Sequence, residues 1–345
     1  MTAGATEEDR ADIATRRARG EFVRGASAHR AWIGDADHPP EPGRYHLFVA
    51  LNCPWCHRVT LARAVLGLEG AITADVAFPN RTGEGDPAGE GLWEFAPDRV
   101  ASLTGATLPE CTDETGTGRG LRLAVEIYAR EGSGEKSLPV LYDKRAGRIV
   151  SNESAEIVRM LNAHAEALGS SLPGCERPDL RPDELAGEID ELNERVYADV
   201  NDGAYRAGFS SDQAVYAAAF ERYFAAFAWL ADRLADGRRF LAGDAFTEAD
   251  LRLFPTLYRH DPVYTVRMKL NGARVLDHPH LWRWLCRVHA LPGVAGAGSL
   301  VHCRQGYFGR SWNATVPLGP THPMSYPEAY DHPELAAASP SVPRA

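Results

Sequence analysis

Apolar runs and polar breaks divide the chain into elements. Residues 45–51 (YHLFVAL) form a short apolar run of strand length, and Asn52-Cys53-Pro54-Trp55 interrupts it. From 56 to 66, Val59, Ala62, Val65 and Leu66 recur at helical spacing, and residues 72–78 read as a second strand. Together these predict a βαβ unit. Residues 79–118 are rich in Gly, Pro, Asp and Thr and predict a long connection of the kind that often carries function. A helix over 119–131 follows, then two short strands at 138–142 and 148–150 around a polar turn. A helix over 153–168 closes the series, with Ile157, Val158 and Leu161 on one face. The order β-α-β, helix, β-β, helix is that of an α/β thioredoxin-like domain, with Cys53 at the first strand-to-helix junction.

Beyond a Gly/Pro/Ser linker at 169–182 the periodicity changes. No strand pattern recurs, and helices are predicted over 183–206, 212–236, 247–260 and 279–290. Phe220, Phe224, Phe227 and Leu230 step by four and three, which predicts a buried stripe. Thr247-Glu248-Ala249-Asp250 reads as a helix start, with Thr247 capping, Asp250 reaching back, and Phe246 and Leu251 at the staple positions. The reading is therefore a surface extension over 1–44, partly ordered by Phe22 and Trp32, a thioredoxin-like domain over 45–168, an all-helical domain over 183–310 and a Pro-rich irregular tail over 311–345.

Composition narrows the function. The 345 residues are 44% hydrophobic and 24% charged, ordinary for a globular protein. A net charge of −10 repels phosphate backbones and argues against general nucleic-acid binding. No apolar run is long enough for a membrane span, and the first residues lack the apolar core of a secretory signal, so a cytoplasmic protein is expected. The six cysteines are too sparse for a disulfide scaffold, and a single Cys-x-x-Cys pair points to redox chemistry or a metal. A zinc site needs two further ligands at a matching spacing, and His302-Cys303 is the one other tight pair. Cys53–His57 also fits a c-type haem attachment pattern, but that needs export and an exposed loop. No metal is expected.

Cys53 is the leading candidate for chemistry. A thiol at a helix N-terminus faces unpaired N–H groups and the positive end of the helix dipole, which favour the nucleophilic thiolate. Pro54 suits the first helical position, where its missing N–H costs nothing. Cys56, one turn on, is either a second redox thiol or a small residue packed inward. Leu138-Pro139 at the start of a strand suggests a cis bond, which would leave the preceding backbone free to pair with a peptide-like ligand. Asn152-Glu153-Ser154 opens a helix where a hydroxyl and backbone N–H groups suit a carboxylate and Glu153 suits an ammonium. The alternatives are a trans proline on an edge strand and ordinary helix capping.

The segments NCPWCHR, SLPVLYD, SNESAEIVRMLN, GAYRAGF, FTEADLRLFPTLYRHDPVY and VPLGP closely resemble the glutathionyl-hydroquinone reductases, the Xi class of glutathione transferases, over roughly residues 30–320. The resemblance implies a thioredoxin-like domain plus an all-α glutathione-transferase domain, assembled as a homodimer. It implies that Cys53 removes glutathione from S-conjugated hydroquinones through a mixed disulfide that a second glutathione resolves. It maps thiol-binding positions to Trp93, Leu138, Glu153 and Ser154. Tyr205 is implied as proton donor to the hydroquinone, and Tyr264 and Tyr307 as hydrogen-bonding groups near the sulfur. Cys56 stands where the family usually has a smaller residue, which leaves a dithiol route open. Glu135, followed by Lys136, stands where the family commonly has Arg, so the co-substrate is glutathione or another low-molecular-weight thiol. Two other readings are kept: a glutaredoxin-like disulfide reductase using Cys53 and Cys56, and a noncatalytic quinone-binding protein.

Overall fold

The computed structural model describes residues 7–104, 120–309 and 315–319. In chain order the first elements are α1 (Glu7–Ala18), β1 (Tyr45–Val49), α2 (Pro54–Val65), β2 (Thr73–Val76), α3 (Pro97–Thr104) and α4 (Ala124–Ala129). Then come β3 (Val140–Asp143), β4 (Arg148–Ser151), α5 (Ser154–Ala163), α6 (Ala186–Arg195), α7 (Asp202–Gly208) and α8 (Gln213–Leu234). The last are α9 (Glu248–Arg259), the single turn α10 (Thr265–Arg267), α11 (Pro279–His289) and α12 (Leu300–Phe308). The chain separates into two compact units.

The first unit takes in Ala26–Pro178 and, after the whole helical stretch, Gly296–Pro317. Its sheet has the order β2-β1-β3-β4. β1 pairs parallel with β2 and antiparallel with β3, and β3 pairs antiparallel with β4. All five positions of β1 are buried, the polar His46 included, so this strand is covered on both faces and does not alternate. The parallel β1–β2 pair needs a crossover, and α2 supplies it. Its Val59, Leu61, Ala62 and Val65 are buried, as are Ile157, Val158 and Leu161 of α5. The predicted extension is partly built in: Ile33 is buried, and the Ala31 N–H donates to Val150 O at 2.9 Å beside an antiparallel bridge between Arg30 and Ser151.

Beneath the β1–β3 pair lies an ionic cluster. Asp143, fully buried, accepts from Arg44 Nη2 at 2.7 Å and lies 2.9 Å from His38 Nδ1. Burial would push this carboxyl up, but the Arg44 guanidinium, the Ala146 N–H and His38 outweigh it and hold it at about 2. A depressed folded-state value stabilises the fold above the unfolded value, and that contribution goes as pH falls through the folded one. Acid titration of unfolding should therefore show a loss on the order of 1 kcal/mol between about pH 4 and pH 2, absent in Asp143→Asn.

Among the described residues, the body of the second unit comprises residues 7–25 and 179–295. Among its described residues the regular elements are all helices. Two helices contain π-type turns: Val196–Asn201 joins α6 to α7, and His260–Tyr264 follows α9. The α9 start is as predicted: Asp250 accepts from the Thr247 N–H at 3.1 Å, and Phe246 and Leu251 are both buried. The buried stripe of α8 is shifted from the predicted one. Tyr223, Phe227, Leu230 and Leu234 are buried, whereas Phe220 and Phe224 are half-buried. Tyr223 joins the core because its hydroxyl has a partner, His260 Nδ1 at 2.9 Å.

Three further differences stand out. The segment read as a connection over 79–118 contains α3, and its residues 105–118, Cys111 among them, lie outside the described residues. The extension contains α1. Residues 296–309, expected to finish the helical domain, form α12 and cluster with the sheet unit. Most of the predicted tail, residues 311–314 and 320–345, lies outside the described residues.

Candidate active site

The chain leaves β1 and turns tightly, the Cys53 N–H donating to Ala50 O at 2.9 Å. Cys53 then caps α2 in an extended conformation (φ −81°, ψ 123°), with Pro54 in the first turn. Its carbonyl accepts the first helical bond, from the His57 N–H at 3.0 Å. The thiol is half-buried and unbridged, at the end of a helix whose first amides have no partner within the helix. That is the environment that favours thiolate. Trp55, His57 and Arg58 are buried in the first turn, and the Arg58 guanidinium lies 4.5 Å from the centre of the Trp55 ring. Cys56 is completely buried.

Facing Cys53 is the start of β3. The Leu138–Pro139 bond is cis, and Cys53 Sγ lies 3.8 Å from Leu138 O. Glu153 caps α5: its Oε1 accepts from the Ala155 N–H at 3.1 Å, and its Oε2 accepts from the Ser27 hydroxyl at 3.2 Å. Ser154 is buried beside it. Glu135 is drawn into the same cluster. Its Oε1 accepts from the Ala28 N–H at 2.7 Å and its Oε2 from the Asn152 side-chain amide. Asn152 also donates to Tyr128 Oη at 3.1 Å and Ser137 Oγ at 3.3 Å, and burial pushes the Tyr128 phenol up to about 12. The departure at Glu135 is therefore an acceptor that fastens residues 27–29 beside the α5 N-terminus. Ser27 is a supporting residue that no local pattern signals, since its partner Glu153 lies 126 residues away. Asn152, read in the sequence as part of the α5 start, takes its supporting role from Glu135, Tyr128 and Ser137.

Trp93 is buried, with the Arg81 guanidinium 4.1 Å above its ring and its carbonyl accepting from the Ala124 N–H at 3.0 Å. Tyr307 is half-buried on α12. Cys53, Cys56, Trp93, Leu138, Glu153, Ser154 and Tyr307 thus all belong to the first unit. Tyr205 and Tyr264 belong to the second, where they meet edge to face with ring centres 6.4 Å apart. Tyr264 is fully buried and ends the π-type turn after α9, a distortion that often marks functional positions. Tyr205 is half-buried between Phe22 and Phe209, at 5.8 and 5.6 Å. Among the described residues no group of three or more His, Cys, Asp or Glu side chains is placed to hold a metal, and no helix is long and apolar enough to cross a membrane.

Comparison with known proteins is consistent across sequence and structure. Residues 52–164 match the family model for the glutathione S-transferase N-terminal domain, and residues 213–287 match that for the C-terminal domain. The chain is 39% identical over 321 residues to glutathionyl-hydroquinone reductase PcpF of Sphingobium chlorophenolicum, covering 90% of this chain and 93% of that one. It is 35% identical over 334 residues to glutathionyl-hydroquinone reductase YqjG of Escherichia coli, covering 92% and 94%. The glutathione-bound structure of YqjG superimposes with a TM-score of 0.75 over 88% of this chain and 96% of that one, at 34% identity. Glutathione-S-transferase Xi from Phanerochaete chrysosporium gives a TM-score of 0.76 over 88% and 98%, also at 34% identity.

Proposed function

Because the chain belongs to the glutathionyl-hydroquinone reductases, the Xi class of the glutathione transferase family, we propose that it strips glutathione from S-conjugated hydroquinones through a mixed disulfide on Cys53. The observation that carries the reading is the placement of Cys53: an unbridged thiol capping α2 and facing the Leu138 carbonyl. A cysteine suits the reaction because one sulfur can act as nucleophile and later as leaving group.

The Cys53 thiolate attacks the sulfur of the conjugate. An S–S bond forms, the C–S bond breaks, and its electron pair passes to the ring carbon, which takes a proton and leaves as hydroquinone. A second glutathione thiolate then attacks the glutathionyl sulfur on Cys53, giving oxidised glutathione and free thiolate. Glu153 would receive the ammonium of the γ-glutamyl end, with Ser154 and the α5 amides on its carboxylate. The Leu138 backbone would pair with the peptide portion, and Trp93 would flank it. The family resemblance assigns the ring proton to Tyr205 and hydrogen bonds near the sulfur to Tyr264 and Tyr307. Complete burial of Cys56 favours this monothiol route over a glutaredoxin-like dithiol cycle. The same resemblance supports a cytoplasmic homodimer, which light scattering on the purified protein would test.

The deciding experiment mixes reduced protein with glutathionyl-menadiol and follows intact mass alongside menadiol release. The expected result is one glutathionyl group on Cys53 with stoichiometric quinol. An internal Cys53–Cys56 disulfide would instead support the dithiol reading. Neither adduct nor quinol, with the same outcome for conjugates of other small thiols, would sink the catalytic reading.

A further inference from the structure

Residues 296–309 lie beyond both family-model matches, yet they belong to the compact unit that carries Cys53. Ser299 caps α12, accepting from the His302 N–H at 3.2 Å. From there the segment closes on the nucleophile's surroundings at several points. Thr60 Oγ1 of α2 donates to Ala297 O at 2.7 Å. The buried Cys303 thiol donates to Leu51 O, two residues before Cys53, at 3.7 Å. One turn further along α12, Gly306 faces Asn52, the residue immediately before Cys53.

That last approach leaves no room for a side chain. A Cβ on Gly306 would lie 2.1 Å from Asn52 Nδ2, 2.8 Å from Asn52 Cγ and 2.9 Å from Pro79 O. Asn52 has little freedom to yield: it is 7% exposed, and its Nδ2 donates to Pro79 O at 3.2 Å. The same closeness recurs at the start of the segment, where a Cβ on Gly298 would lie 2.5 Å from His57 Nε2. Gly306 also directly precedes Tyr307.

We propose that Gly306 and Asn52 form a positioning contact, through which the backbone of α12 fixes the loop that presents Cys53. The contact rests on the assignment of Cys53 as the nucleophile. Neither residue is given a part in the bond-making steps proposed above. Gly306 acts by having no side chain, and Asn52 by linking α12 to Pro79 on one side and to Cys53 on the other. The energetic logic is that of near-attack geometry, in which a displacement of a fraction of an ångström at the reacting atom is felt in rate before it is felt in the fold.

The test is a cycle of Gly306→Ala, Asn52→Ala and the double variant in the full chain. It follows the iodoacetamide alkylation rate of Cys53, the kcat and KM for glutathionyl-menadiol, and thermal unfolding. In Gly306→Ala, alkylation and kcat should fall on the order of tenfold to a hundredfold while KM changes little. Asn52→Ala should lower both by a few-fold, and because removing that side chain clears the nearest collision, the double variant should return close to the level of Asn52→Ala alone. The approach to Pro79 O remains and limits the recovery. A reactive wild-type Cys53 whose rate survives Gly306→Ala overturns the inference alone. So does a double variant that loses the product of the two single effects. A wild-type Cys53 no more reactive than a free cysteine overturns the nucleophile assignment and this contact with it. If Gly306→Ala fails to fold, Asn52→Ala alone decides: an unchanged alkylation rate and kcat reject the contact.

Discussion

Replacing Cys53 with serine should reduce hydroquinone release by at least about 10³-fold, because a hydroxyl in the same place can neither ionise at neutral pH nor form the mixed disulfide. The loss should fall on kcat. The groups proposed to hold the thiol, Glu153, Ser154 and the Leu138 backbone, stay in place, so glutathione should still bind to Cys53→Ser with an affinity near that of the wild type. Cys56→Ser provides the contrast. Cys56 is fully buried in the first turn of α2, and its replacement should cost some stability, because a hydroxyl is costlier to bury than a thiol, but leave turnover within a few-fold. Equal losses in the two variants, measured as quinol release at saturating conjugate, would replace the monothiol cycle with a dithiol one.

The largest effect on stability should come from Asp250. It is fully buried, and four donors converge on its carboxylate: the Leu241 N–H at 2.8 Å, the Trp284 indole at 2.8 Å, and the Thr247 N–H and hydroxyl, each at 3.1 Å. Burial pushes the carboxyl above its ordinary value, and these four donors oppose the shift. Asp250→Ala strands all four in the core at once, and the second unit should lose about 3–5 kcal/mol in urea unfolding. Asp250→Asn keeps one acceptor oxygen and should lose less. If Asp250→Ala cost under about 1 kcal/mol, water would have to reach these donors, and the site would not act as a closed anchor between α9 and α11.

How much of this was legible in the sequence follows from how local each signal is. β1 and α2 show in the pattern because an unbroken apolar run gives way to helical spacing at a Cys-Pro step. The α9 start shows because its capping partner sits three residues away. α12 does not show. Its buried residues His302, Cys303 and Phe308 follow no helical stripe, and what covers them comes from chain more than two hundred residues earlier, as with Cys303 on Leu51. The α8 stripe was misplaced because periodicity weighs Tyr223 as less apolar than Phe220, whereas a buried partner for its hydroxyl makes it the better core residue. At the site, Cys53 and the cis Leu138–Pro139 step could be read directly from residue type and place. The roles of Glu135, Ser27 and Asn52 could not, since each depends on a pairing that exists only once residues far apart in the chain have met.

The late return of residues 296–309 to the first unit also sets an order of assembly. During synthesis the strand and helix that frame Cys53 emerge early, but the segment that packs against Leu51, Asn52 and Thr60 is translated only after the entire helical unit. A nascent chain therefore carries Cys53 in an unfinished setting until residues 296–309 have left the ribosome. If Cys53 is the nucleophile, as proposed, a chain cut short after α11 would hold that cysteine without the α12 backbone that packs beside it.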